Sequence, residues 1–119
     1  MKIIAGNWKM NGSSNELDTM ISALEKVETT NKIIICPSFT MLGKQSDKVA
    51  LGAQDVSAHV KGAYTGEVSA KMIADTGAKY VLVGHSERRQ YHQEPNSIFR
   101  QKAEAACANG SIPIICVGD

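Results

Sequence analysis

The sequence predicts an α/β protein: a parallel sheet of βα units forming the first half of a (β/α)8 barrel and ending at about strand five. Three observations predict it. Short apolar runs alternate with helical patterns along the chain. Several of those runs are continuous rather than alternating, Ile33-Ile34-Ile35 most plainly, which suits parallel strands covered on both faces. The runs recur every roughly 27 residues, and eight such units reach roughly 200 residues, within the usual size of that barrel.

The elements follow in order. Strands are expected at 3–5, 33–36, 49–53, 80–83 and 112–117. Leu17, Met20, Ile21, Leu24 and Val27 recur at helical spacing and define the buried face of a first helix. Ser13, three residues before Glu16, offers a capping box for its start. A second helix is expected after Pro37, carrying Met41 and Leu42. A third is expected at 68–74, ending near Gly77. A fourth spans 96–109, with Gly110 as a left-handed stop. Strand–helix alternation implies right-handed crossovers and a parallel sheet. An open doubly wound sheet is the competing architecture, but Gly6 is followed by Asn7-Trp8-Lys9, so the dinucleotide glycine fingerprint is missing. No phosphate-loop motif of the GxxxxGK[ST] type occurs either. The expected domain is therefore 1–119, the N-terminal part of one barrel.

Composition excludes other classes. The 119 residues are 43% hydrophobic, enough to fill a core. Thirteen Lys and Arg against twelve Asp and Glu leave a formal charge of +1, too little for a protein that lives on phosphate contacts to nucleic acid. No apolar run approaches the roughly 18 residues of a membrane span, and the N-terminus lacks a signal pattern. Three cysteines, in no metal-ligand spacing, argue against a disulfide framework or a metal site. The expectation is a soluble protein of a reducing compartment, with no nucleic-acid partner and no membrane.

In such sheets reactive groups gather at the carboxyl ends of strands. A lysine just past a buried strand is ordinarily a solvated charge. Lys9 follows Asn7 and Trp8 at a strand end, where a cation can hold a phosphate or stabilise negative charge on oxygen. If the strand continues, Asn7 and Lys9 share a face. His85 closes the run Tyr80-Val81-Leu82-Val83-Gly84, and Ser86 is placed to cap a helix beginning at once. The partial positive charge of that helix terminus favours a neutral imidazole, able to donate to a substrate carbonyl. Glu87 has several readings: general base, ion-pair partner of Lys9 or of an arginine, or structural anchor. Its flanking Arg88 and Arg89 favour the anchor.

Three blocks, Gly6-Asn7-Trp8-Lys9-Met10-Asn11-Gly12, Gly62-Ala63-Tyr64-Thr65-Gly66-Glu67 and Gly84-His85-Ser86-Glu87-Arg88-Arg89, together resemble the triosephosphate isomerase family. The resemblance runs from Ala5 to Val117. It implies a (β/α)8 barrel acting on a triose phosphate without cofactor or metal. The implied reaction interconverts dihydroxyacetone phosphate and glyceraldehyde 3-phosphate, a step of glycolysis and gluconeogenesis. It implies that His85 is the electrophile, that Lys9 binds substrate and stabilises its charge, that Asn7 shapes the same pocket, and that Ser86 and Glu87 support them. The family is itself the standard example of a neutral catalytic imidazole, so that reading of His85 is not independent of the resemblance. A homodimer is implied, with Thr65 reaching the partner's site and Glu67 pairing with Arg88 across the interface. The family's general base, hinged lid and later phosphate loops follow strands six to eight, so this chain alone is expected to be inactive without a complementary C-terminal half. The alternative is a non-catalytic half-barrel that self-associates; an open-sheet phosphate-binding domain is weaker. His59 and His92 are expected at the surface, Cys107 in buried packing, and Cys36 and Cys116 in core strands. Asp119 stands where the family more often has glutamate, and no chemistry is assigned to it.

Overall fold

A computed structural model describes residues 1–118; Asp119 lies outside the described residues. Five strands form one parallel sheet: β1 (Ile3–Asn7), β2 (Lys32–Cys36), β3 (Val49–Ala53), β4 (Tyr80–Val83) and β5 (Ile112–Ile115). Their spatial order is their sequence order. Each strand pairs in parallel with the next, Asn7 opposite Cys36 at one end and Val83 opposite Ile115 at the other. The sheet curls as half of a barrel. Ile34, Cys36, Tyr80 and Leu82 cluster on one face with Ile114 and Cys116. The opposite face, with Ile35, Leu51, Val81 and Val83, packs under the helices. Burial on both faces is why these strands read as continuous β-branched runs.

Four helices accompany the sheet: α1 (Ser14–Glu25), α2 (Ala70–Asp75), α3 (Ser86–His92) and α4 (Asn96–Ala108). Ser13 caps α1, its Oγ accepting from Glu16 N at 3.2 Å. The hydroxyl in turn meets the Glu16 carboxylate at 3.3 Å, so the side chains bond to each other rather than closing the full reciprocal box. Leu17 and Ile21 are buried as expected. Met20 and Val27 are exposed, however; α1 stops at Glu25 and Val27 lies beyond it. Gly110 adopts φ 81° just past α4, the left-handed stop that its position predicts.

Three expectations change. The helix after Pro37 is only a 3-10 turn, Phe39–Met41. Ser38 Oγ meets Thr40 Oγ1 at 2.8 Å instead of capping a backbone N–H, and Leu42 is already extended. β5 ends at Ile115, so Cys116 sits just past it, half-buried. Cys107 is exposed, not packed: α4 turns Phe99, Lys102 and Ala106 inward, and Cys107 falls outside that stripe.

The two edge strands remain uncovered. Ile3 and Ile4 of β1 and Ile112 and Ile115 of β5 are all about half exposed or more. Among the described residues no helix is long and apolar enough to cross a membrane.

The cysteines give a direct check. Burial, and to a lesser degree the neighbouring Cys116, pushes the Cys36 thiol up to about 11, and burial also raises Cys116. Thiolate is the reactive form. Iodoacetamide at pH 8 should alkylate Cys107 first and Cys36 last, as read by mass spectrometry of peptides. Early labelling of Cys36 would contradict this packing.

Candidate active site at the carboxyl rim

The strand ends β1, β3 and β4 deliver their polar residues to one rim. A hollow of about 170 Å³ there is lined by Asn7, Lys9, Ser38, Gln54, His85 and Glu87 among others. Asn7 is the last residue of β1, two residues beyond the expected strand end. Strand alternation therefore does not relate it to Lys9. Lys9 instead takes a left-handed backbone, φ 57°. That conformation costs a non-glycine residue about 1–3 kcal/mol and persists only where its surroundings impose it. Two bonds impose it here: Lys9 N donates to Asn7 Oδ1 at 2.9 Å, and Gln54 Nε2 donates to Lys9 O at 2.8 Å. Gln54 Nε2 also donates to Cys36 O at 2.9 Å, so one amide ties the Lys9 loop to the end of β2.

Gly12 closes the same loop. It has φ 96°, and a Cβ there would lie 2.5 Å from the Trp8 ring. Gly12→Ala should therefore destabilise the protein by about 1–3 kcal/mol, measured by urea unfolding. Parent-like stability would mean that the Trp8 ring is free to move aside.

At β4 the chain leaves through Gly84, φ 77°, and turns directly into α3. Ser86 is the first residue of α3 and is exposed; it is not the cap expected of it. His85 takes that place, with φ −55° and ψ 145°. Its Nδ1 accepts from Glu87 N at 3.1 Å. A backbone N–H can only donate, so Nδ1 is unprotonated and the ring carries its proton on Nε2. The Glu87 carboxylate reaches Lys9 Nζ at 3.2 Å, which selects the Lys9 ion pair among the readings for this residue. Both partners are about half exposed, so the pair contributes little stability and mainly orients the ammonium. Glu87 Oε1 also lies 3.4 Å from Nδ1, but an unprotonated Nδ1 and a carboxylate oxygen are both acceptors and form no hydrogen bond there.

Asp55, one residue after Gln54, begins a buried charge cluster. Lys102 Nζ on α4 donates to Asp55 and to both Glu94 oxygens, each at 2.8 Å. Arg88 donates to Glu94 Oε2 from Nε at 2.9 Å and from Nη2 at 2.7 Å. Burial alone would raise the Glu94 carboxyl, but the hydrogen bonds from Lys102 and Arg88 outweigh it and hold it below the usual glutamate value. A lowered native value gives stability that is full above the ordinary glutamate value, about 4.3, and lost as pH falls through the native one. Melting temperature should drop on acidification below about pH 4.3, and Glu94→Gln should flatten that drop. An unchanged acid slope would show that Glu94 is not the group responsible.

The other predicted positions lie apart. Thr65 is exposed at the tip of the 56–68 loop, whose neck is closed by Ser57 N donating to Val68 O at 2.8 Å. Inside the loop the His59 and Tyr64 rings stack at 3.7 Å. Glu67 accepts from Ser57 Oγ, while Arg88 is bound to Glu94 and Asp55, so each has a partner within the chain. His59 and His92 are exposed, as the sequence suggests. Gln54, Asp55, Glu94 and Lys102 were not singled out from sequence. Gln54 and Asp55 were accessible to the strand-end rule, since they directly follow β3. A lysine facing inward on α4 gives no such signal.

Half of a curled parallel sheet, with its polar groups collected at the carboxyl rim, defines the (β/α)8-barrel class. The sequence model of the triosephosphate isomerase family matches residues 2–119. A triosephosphate isomerase of Xanthomonas axonopodis pv. citri (strain 306) is 49% identical, covering 99% of this chain and 50% of that protein. One from Bradyrhizobium sp. (strain ORS 278) is 45% identical over 98% of this chain and 50% of its own length. The crystal structure of triosephosphate isomerase from Bartonella henselae superposes with a TM-score of 0.89 at 37% identity, covering 98% of this chain and 52% of that one. The chain belongs to the triosephosphate isomerase family, and it spans about half the length of the curated relatives it matches.

Proposed function

We propose that this chain is the N-terminal part of a single barrel domain and supplies the electrophilic half of a triosephosphate isomerase site. The whole protein would interconvert dihydroxyacetone phosphate and glyceraldehyde 3-phosphate in the cytoplasm, as a homodimer. One observation carries the reading: Glu87 links the two cationic or proton-donating groups, its N–H donating to His85 Nδ1 and its carboxylate holding Lys9. Nε2–H of His85 donates to the substrate carbonyl oxygen. As a proton leaves the adjacent carbon, negative charge develops on that oxygen. A fixed N–H donor and the Lys9 ammonium stabilise it without reorganising. Asn7 shapes the floor of the pocket by holding the Lys9 loop. Ser86 supports the arrangement only as the first turn of α3.

The reaction also needs a general base. Glu87 is committed to Lys9, so it is a poor candidate. By resemblance the base and the lid that excludes water belong to the other half of the barrel, and the chain by itself is inactive. Thr65 and Glu67 would meet the second subunit, and Arg88 would meet Glu67 there while keeping its bonds to Glu94.

In the whole enzyme, Lys9→Ala and His85→Gln should each lower kcat by about 100-fold or more without unfolding the protein. Near-normal turnover in either variant removes that residue from its role. Mixing this chain with the complementary C-terminal half should restore isomerisation. A folded stoichiometric complex that stays inactive would contradict the split-site reading.

The exposed isoleucines of β1 and β5 favour a second reading, a self-associating half-barrel without catalysis. Sedimentation of the chain separates the two: a well-folded monomer at high concentration excludes self-association.

A further inference from the structure

His85 sits at the cap of α3, yet none of the helix's seven residues is buried. A helix that short has no stability of its own in water. Polar contacts, not apolar packing, must therefore hold it. Arg89 provides one set: Nε donates to Gly84 O at 3.2 Å, Nη1 donates to Asn96 Oδ1 at 2.6 Å, and the guanidinium lies 4.1 Å over the Phe99 ring. Arg88 provides the other, and it ends in a closed ring of charges.

The ring has two cations and two anions. Arg88 binds Glu94 and stands 3.3 Å from Asp55. Lys102 binds the same two carboxylates. The Lys102 side chain is only 6% exposed, and its three contacts match its three N–H donors. The ring thereby joins the end of β3, α3, the segment before α4, and α4 itself. A buried ion cluster of this kind adds little net stability, because an apolar replacement often does as well. What it does specify is direction: from the first turn of α3, Arg88 reaches both Glu94 and Asp55.

We infer that Lys102 and Glu94 are positioning residues for His85, acting through Arg88 to fix α3 where Glu87 N–H meets the imidazole Nδ1. This rests on the reading of His85 as the electrophile. Neither Glu94 nor Lys102 lines the rim hollow, whereas their partners Arg88 and Asp55 do, so an effect on chemistry passes through those two side chains and the helix that carries Arg88.

The test uses the whole protein containing this chain. Two variants are made, Glu94→Gln and the double Glu94→Leu/Lys102→Met, which removes both buried charges together. Melting temperature, kcat, KM and the ring ¹⁵N shifts of His85 are measured. The double variant should fold cooperatively, lose about tenfold in kcat and keep KM within about twofold. Its His85 shifts should move from a single Nε2–H tautomer toward a mixture, and Glu94→Gln should move in the same direction. A folded variant of either kind with parent-like kcat and unmoved His85 shifts overturns the inference. Should the parent show no isomerase turnover, the functional reading fails, while the ring shifts still decide whether these residues position His85.

Discussion

One hydrogen bond, from Glu87 N to His85 Nδ1 at 3.1 Å, organises the rim. It decides which ring nitrogen is free to donate outward. It also places Glu87 so that the same residue reaches Lys9. The bond exists because Gly84 ends β4 with a left-handed turn and α3 starts at once. An ordinary side chain at Gly84 would be strained there and would press on Phe99 at 3.2 Å. A serine cap one residue later would leave the imidazole without this constraint on its tautomer.

The parallel order of the sheet makes that local event useful. Every crossover returns the chain so that all five carboxyl ends face the same rim. Groups distant in sequence then meet: Gln54 after β3 holds both the Lys9 loop and the end of β2. Lys9 tolerates a left-handed backbone because these bonds impose it. The same topology leaves β1 and β5 as edges with exposed isoleucines.

Much of this was legible in sequence. Continuous runs such as Ile33-Ile34-Ile35 located the strands because both sheet faces are buried, and Ser13 marked the start of α1. The strand-end rule singles out Asn7, Lys9, His85 and Glu87, and these four line one hollow because parallel sheets collect polar groups at strand ends. The failures have physical causes. Ser86 is a good capping residue by type, but the glycine turn moved the helix start and gave the cap to His85. The 39–41 segment has helical residues, but its serine bonds to a side chain instead of starting a helix. Lys102 has the composition of a solvated helix face; only the tertiary fold brings two carboxylates to it. Cys107 differs because helix rotation, not residue type, decides exposure.

The central claim is that Lys9 and His85 act on the same substrate oxygen. A crystal structure of the whole protein with a phosphorylated enediolate mimic tests it most directly. The account predicts Lys9 Nζ and His85 Nε2 both within hydrogen-bond distance of one oxygen of the mimic, with Nδ1 still accepting from Glu87 N. A mimic bound away from the pair, or His85 turned so that Nδ1 faces it, would contradict the account.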